Sequence, residues 1–225
     1  DGERYIRTPP RITGDEGSYN THGTVTPSGI QHHINYLDYQ TWRYQQKFKE
    51  LGVADNTIFV FCSDNGTVGY GKNSPDRQKG THVPMIIHAS GMTKQGAQGV
   101  LVNLSDILPT IAELVGAEAP DDYEINGQSL APFLFSDRPA HREWLYGYLD
   151  DKQIIRGGKV LRDGRGKWWD VEARPDDLIS FPEITHWNEV SSAHRDERDK
   201  LLSILPQFSQ ENHGRNAPMD AARRS

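Results

Sequence analysis

An acid, an amide and a glycine follow one of the apolar runs of this chain. Residues 57–62 read Thr-Ile-Phe-Val-Phe-Cys, and Asp64, Asn65 and Gly66 come directly after Ser63. A buried strand that ends in this way delivers a carboxylate and an amide oxygen to the rim of a sheet, where α/β proteins hold ligands and hard metal ions. The pattern is consistent with part of a metal-anchored site for an anion, although these residues alone are more typical of a plain turn after a strand.

A lysine in a glycine-rich context lies close to this group. Lys72 ends the run Gly-Tyr-Gly-Lys, eight residues after Asp64, and a second apolar strand is predicted over residues 83–89. The intervening segment, residues 64–82, is polar and longer than an ordinary connection, and such loops are usually functional or disordered. An ammonium group here would favour an anionic ligand.

The elements that position these residues can be predicted from apolar periodicity and from capping residues. After an irregular lead over residues 1–28, a long helix runs over about 29–51 and stops at Gly52. Strands over 57–63 and 83–89 belong to the sheet that holds the candidate site. Ser105 is a suitable cap for a second helix over about 106–115, which ends at Gly116.

Beyond residue 120 the pattern changes to short elements separated by glycine and aspartate turns. It predicts a short helix over 129–135, a small antiparallel sheet and a helix over about 194–205. The predicted organisation is thus an irregular lead (1–28), an α/β region (29–120), a small α+β subdomain (121–206) and a disordered tail (207–225). The strands predicted for the small sheet cover residues 144–149, 153–156, 159–162 and 167–171.

The composition is that of an ordinary globular protein. The chain has 225 residues, of which 35% are hydrophobic and 25% charged, which suffices for one core and a small appendage. A net charge of −6 without a basic cluster disfavours nucleic acid as a partner. No run approaches the roughly 18 apolar residues of a membrane span, and no signal peptide opens the chain. The single cysteine, Cys62, is predicted to be a buried strand residue.

Five segments, in this order and at this spacing, resemble the carboxy-terminal half of a sulfatase of the alkaline-phosphatase superfamily. The resemblance covers about residues 28–205 and implies a partial sulfatase-like α/β fold, followed by a small antiparallel β subdomain with a terminal helix. The five segments are Tyr36-Leu37-Asp38, the stretch from Leu51 to Gly66, Gly71-Lys72 with Gly80 to Ile87, Leu104 to Ile111, and Asn126 to Leu130.

The resemblance implies roles for the candidate site residues. Asp64 and Asn65 match the late pair of calcium ligands of the family, and Lys72 matches the lysine that contacts the sulfate ester and its departing oxygen. Lys79, which also precedes a glycine, is the alternative to Lys72. The implied cofactor is Ca²⁺, with an incomplete site in this chain, and the implied substrate is a sulfated small molecule or carbohydrate.

The family's nucleophile segment, Cys- or Ser-x-Pro-x-Arg, does not occur in the sequence. We therefore expect this chain to be a fragment that is inactive alone, with the missing amino-terminal half or a second copy as its partner. Two other functions stay open. One is a phosphodiesterase or phosphonate monoester hydrolase of the same superfamily, and the other is a non-catalytic remnant or binding module. Many relatives are periplasmic or secreted, and the localisation of this chain stays open.

Overall fold

The computed structural model describes residues 18–19, 25–26, 30–66, 80–118, 125–149, 152–173 and 181–208. Contacts divide the chain into two compact units, Asp1–Phe59 with Ile87–Ser90, and Val60–Ile86 with Gly91–Ser225. The predicted domain boundaries remain a prediction. Within the described ranges, no helix combines the length and the apolar character that crossing a bilayer requires.

One long helix dominates the first unit. Helix α1 spans Ile30–Glu50, within one residue of the prediction at each end, and the chain leaves it through Gly52 at φ 70°. Such a left-handed residue after a helix favours glycine, which is why the sequence marks this stop. Two short strands, β1 (Ser18–Tyr19) and β2 (Val25–Thr26), pair antiparallel inside the lead that was predicted to be irregular.

The strands that bracket the candidate site form a small sheet. Strand β3 covers Phe59–Cys62 and β4 covers Met85–His88, both shorter than predicted, and they pair as a two-stranded sheet. Cys62 is exposed, so the prediction of a buried cysteine is wrong. Ile86 is likewise 56% exposed. Among the described residues no further strand joins this sheet.

The predicted small antiparallel sheet is confirmed. Its strands β5 (Leu145–Leu149), β6 (Lys152–Arg156), β7 (Val160–Arg162) and β8 (Trp168–Asp170) pair in chain order. Each pairing is antiparallel. Consecutive strand residues point to opposite faces, so Val160 and Leu161 contribute to different clusters of the core.

Helix α4 (Ser192–Ile204) belongs to the cluster that contains Val160, since its Leu201 packs there with Ile155 and Ile184. Glu197 of the same helix also binds the turn between β6 and β7. Its carboxylate accepts hydrogen bonds from the backbone N–H groups of Gly158, Lys159 and Val160 at 3.2, 2.7 and 2.9 Å. The helix is therefore attached to the sheet by apolar packing and by a charge-assisted hydrogen-bond group.

The remaining helices are α2 (Ile107–Val115) and α3 (Ala131–Leu134). A 3-10 turn, Leu104–Asp106, precedes α2, and it is capped by Asn103 rather than by the predicted Ser105. The Asn103 side chain accepts a hydrogen bond from Ser105 N, while the Asp106 carboxylate accepts one from Asn103 N at 2.9 Å. The capping box thus starts a 3-10 turn at Leu104, two residues before the predicted helix start, while α2 itself begins at Ile107.

The Asp106 carboxylate is fully buried. It joins three segments of the second unit, namely the start of α2, the segment around Gln128 before α3, and the segment before β5 that carries His141 and Arg142. It forms a bidentate pair with Arg142 and lies 3.1 Å from His141 Nε2. It also accepts a hydrogen bond from Gln128 N at 2.8 Å. Burial alone would raise the pKa of Asp106, but the hydrogen bonds from Arg142, Gln128 and Asn103, with the charge of Arg142, hold it below its ordinary value.

Gly127 is required where the segment before α3 approaches the backbone of Ser105, just before α2. A Cβ atom at this position would lie 1.9 Å from the carbonyl oxygen of Ser105, a backbone atom that cannot rotate away. The Gly127→Ala variant should therefore lose about 1–3 kcal/mol of unfolding free energy or more. Gly99→Ala is the matched control, since a Cβ there meets nothing within 4 Å. Urea unfolding measures both, and equal stability of the two variants would contradict the close contact.

Asp106→Asn should destabilise the protein by about 3–5 kcal/mol at pH 7, because it leaves the buried Arg142 without its counter-ion. The folded-state pKa of Asp106 lies below the unfolded value of about 3.9. Its contribution is therefore present above that pH and is lost as the pH falls through the folded pKa. The stability difference from the parent should shrink below about pH 4. Asp137→Asn, at an exposed position, is the control; a difference that stays constant into strong acid would count against this role.

Candidate functional site

The structure places the predicted acid and amide directly beyond the end of β3. The Ser63 hydroxyl donates to the backbone carbonyl of Asn65 at 2.9 Å, which tightens the turn at this point. The Asp64 side chain is exposed and that of Asn65 is half-buried. Neither side chain hydrogen-bonds to, or forms an ion pair with, any residue in the described ranges. Their oxygens are thus available to a ligand.

A second segment runs opposite this turn. Ser63 N donates to Pro84 O at 3.3 Å, and Gly66 N donates to Gly80 O at 3.4 Å. Because the residue numbers rise on one side while they fall on the other, the two segments are antiparallel. His82, midway between Gly80 and Pro84, consequently lies opposite the Asp64–Asn65 turn. From the sequence alone, His82 precedes Val83-Pro84 at the mouth of a predicted strand, which allows either an approach to substrate or a hydrogen-bonded structural role.

His82 is exposed overall, yet its ring is partly withdrawn from solvent. This desolvation lowers the pKa of His82, and the positive charge of Arg156 on β6 lowers it further. Arg156 is itself held in place, with its Nε donating to Gly157 O at 3.4 Å and its guanidinium 5.7 Å from the centre of the Phe181 ring. The charge of a held guanidinium thus acts on the His82 imidazole.

The two candidate lysines lie outside the described residues, as does the rest of the loop from residue 67 to residue 79. The choice between Lys72 and Lys79 stays a prediction. Within the part of the chain that is described, no three His, Cys, Asp or Glu side chains converge as a metal site.

The donor chemistry at the turn nevertheless fits Ca²⁺ in kind. Asp64 offers a carboxylate and Asn65 an amide oxygen, and calcium takes six to eight oxygen ligands of this type at about 2.3–2.6 Å. Two adjacent side chains account for a minority of such a set. The remaining ligands would have to come from further oxygen donors.

A further polar cluster lies at the start of α4, where Ser191, His194 and Asp170 meet. Ser191 Oγ is 2.7 Å from His194 Nδ1, and His194 Nε2 is 3.3 Å from Asp170 Oδ1. Ser191 also caps α4 by accepting a hydrogen bond from His194 N. The serine-to-histidine spacing of three residues is the local signal for this cap, whereas Asp170 comes from a distant strand.

Comparison with known proteins agrees with the sequence resemblance. A family model described as Sulfatase matches residues 12–117. An uncharacterised sulfatase, YdeN, of Escherichia coli is 30% identical over 202 residues, which cover 81% of this chain and 36% of that protein. An N-acetylgalactosamine-6-O-sulfatase of Bacteroides thetaiotaomicron is 24% identical over 91% of this chain and 40% of its own length.

The fold agrees as well. The crystal structure of the PsFucS1 sulfatase from Pseudoalteromonas sp. superposes with a TM-score of 0.59 at 18% identity, over 84% of this chain and 45% of that structure. At this identity the superposition concerns the fold alone. It supports the partial alkaline-phosphatase-like architecture predicted from the sequence. The chain spans less than half the length of each of these three proteins.

Proposed function

Because this chain is a member of the sulfatase family through residues 12–117, we propose that it functions as part of a sulfuric ester hydrolase. In this proposal Asp64 and Asn65 are ligands of Ca²⁺, and Lys72 interacts with the departing oxygen of the ester. The observation that carries the proposal is the position of the two oxygen donors. They stand next to one another beyond the end of β3, and no described residue engages them.

The turn geometry supports the ligand roles of Asp64 and Asn65. Hydrogen bonds of Ser63 and Gly66 hold the backbone on either side of the pair, so both side chains extend from an ordered turn. Asp64 supplies a negative charge and Asn65 a neutral oxygen, both of the hard type that calcium prefers. When bound, Ca²⁺ would offset negative charge on the sulfate oxygens.

Lys72 completes the part of the chemistry proposed for this chain. When the bond between sulfur and the ester oxygen breaks, negative charge develops on the departing oxygen. A lysine ammonium stabilises that charge by a hydrogen bond and by its own positive charge. The nucleophile is not among these residues, because the sequence contains no Cys- or Ser-x-Pro-x-Arg segment. We propose that the chain is inactive alone and that further polypeptide supplies this group.

A sulfated carbohydrate is the proposed substrate. The Bacteroides relative is named for action on the 6-O-sulfate of N-acetylgalactosamine, and it covers more of this chain than the E. coli relative does. A sugar sulfate offers both an anion for the metal-anchored turn and a ring whose hydroxyl groups can hydrogen-bond to neighbouring loops.

The calcium role of Asp64 can be measured on this chain directly. With only part of a ligand set present, we expect weak binding, with a Kd on the order of 1 mM. Asp64→Ala should weaken calcium binding at least about tenfold, because it removes the charged ligand. Asp55→Ala, which removes an exposed carboxylate before β3, should leave it unchanged. Isothermal titration with CaCl₂ is the measurement; equal effects of the two substitutions would refute a specific site.

Testing the role of Lys72 requires a form of the protein that hydrolyses p-nitrophenyl sulfate. There, Lys72→Ala should lower kcat by about 10²–10³-fold, the usual cost of removing one donor to a developing oxyanion. Lys79→Ala is the matched control in the same loop, and its kcat should stay within about twofold of the parent. The reverse result would assign the role to Lys79. Near-normal turnover in both variants would remove the lysine from the proposal.

A further inference from the structure

We propose that His82 is a substrate-contacting residue, whose imidazole donates a hydrogen bond to the sulfate group held at the Asp64–Asn65 turn. This inference rests on the proposed function. It assigns a role in anion recognition to a residue that belongs to neither the predicted metal ligands nor the predicted lysine.

The position of His82 is set by backbone hydrogen bonds on both sides of it. The hydrogen bond from Ser63 N to Pro84 O lies at one end of the two facing segments, and the bond from Gly66 N to Gly80 O lies at the other end. Antiparallel pairing between these points leaves His82 as the residue opposite Asp64 and Asn65. A ligand held at this turn would therefore lie beside the segment that carries His82.

Exposure and local backbone chemistry allow His82 to reach such a ligand. The residue is exposed, so its ring can exchange solvent contacts for a ligand without displacing a core side chain. Val83 precedes a proline, which restricts it to extended conformations. This restriction limits the conformational freedom of the segment that carries His82, so less conformational entropy is lost when a ligand binds.

The charges around His82 favour an anion in the presence of a divalent cation. Arg156 is close enough that its positive charge affects the imidazole, and it is anchored by Gly157 and Phe181. An anion beside His82 is therefore attracted by a guanidinium as well, although the Glu197 carboxylate also acts on Arg156 and offsets part of that charge. The negative charge of Asp64 on the facing segment repels the anion unless a bound cation offsets that charge. Binding of a sulfate ester should thus depend on Ca²⁺, while an uncharged sugar should gain little.

Histidine NMR on the whole 225-residue chain tests the assignment. The Hε1 resonances are followed by ¹H–¹³C correlation in CaCl₂ while N-acetylgalactosamine 6-sulfate is added, and unsulfated N-acetylgalactosamine is the reference ligand. The His82 resonance, assigned by its loss in His82→Ala, should move with the sulfated sugar only. His82→Ala should weaken the affinity about tenfold, as expected for one hydrogen bond to a charged group.

Two further variants make the result specific. His82→Gln keeps a hydrogen-bond donor and should recover part of the affinity, whereas His88→Gln, at an exposed position on β4, should have no effect. If the sulfated sugar binds with a parent-like Kd in His82→Ala, the inference is overturned while the proposed function stands. An equal loss in His88→Gln overturns it as well. If the sulfated sugar moves no histidine resonance in CaCl₂, the inference is overturned, whereas the proposed function is decided separately by the calcium titration of the parent and Asp64→Ala.

Discussion

The buried pair between Asp106 and Arg142 organises much of the second unit. Its carboxylate has no exposed surface, and its oxygens are occupied by a guanidinium, an imidazole and two backbone N–H groups. A buried charge of this kind is tolerated only when it is fully hydrogen-bonded. The start of α2, the segment before α3 and the segment before β5 must therefore meet at one point. Gly127 is needed there because the backbones approach too closely for a side chain.

The small sheet and α4 rely on a different kind of attachment. Apolar side chains of both faces pack into separate clusters, and the Glu197 carboxylate holds the turn between β6 and β7 through three backbone N–H groups. The apolar packing supplies most of the favourable free energy, while the directional hydrogen bonds select one arrangement of helix and sheet. This subdomain is consequently held by strand pairing between chain neighbours, by apolar packing of α4 and by the contact of Glu197 with the turn.

The candidate site depends on much less structure than either of these regions. Two backbone hydrogen bonds place the segment over residues 80–84 against the turn that carries Asp64 and Asn65. These contacts hold the segment that carries His82 beside the turn that carries the two oxygen donors. A site of this construction can accept a charged ligand, since its polar groups are not already satisfied by the protein. We therefore propose that a bound cation, Lys72 and His82 act together in the sulfatase-family function.

Local patterns in the sequence determined the antiparallel sheet, the long helix and its glycine stop, and the chemistry of the Asp64–Asn65 pair. These features depend on periodicity, turn residues and side-chain type, all of which are expressed within a few neighbouring positions. Only the tertiary structure decided that Asp106 meets Arg142, that Cys62 is exposed, and that the segment carrying His82 runs beside the Asp64–Asn65 turn. Each of these results depends on which distant segments come together or stay apart. That pairing is set by the packing and hydrogen bonding of the whole fold, and single-segment patterns do not contain it.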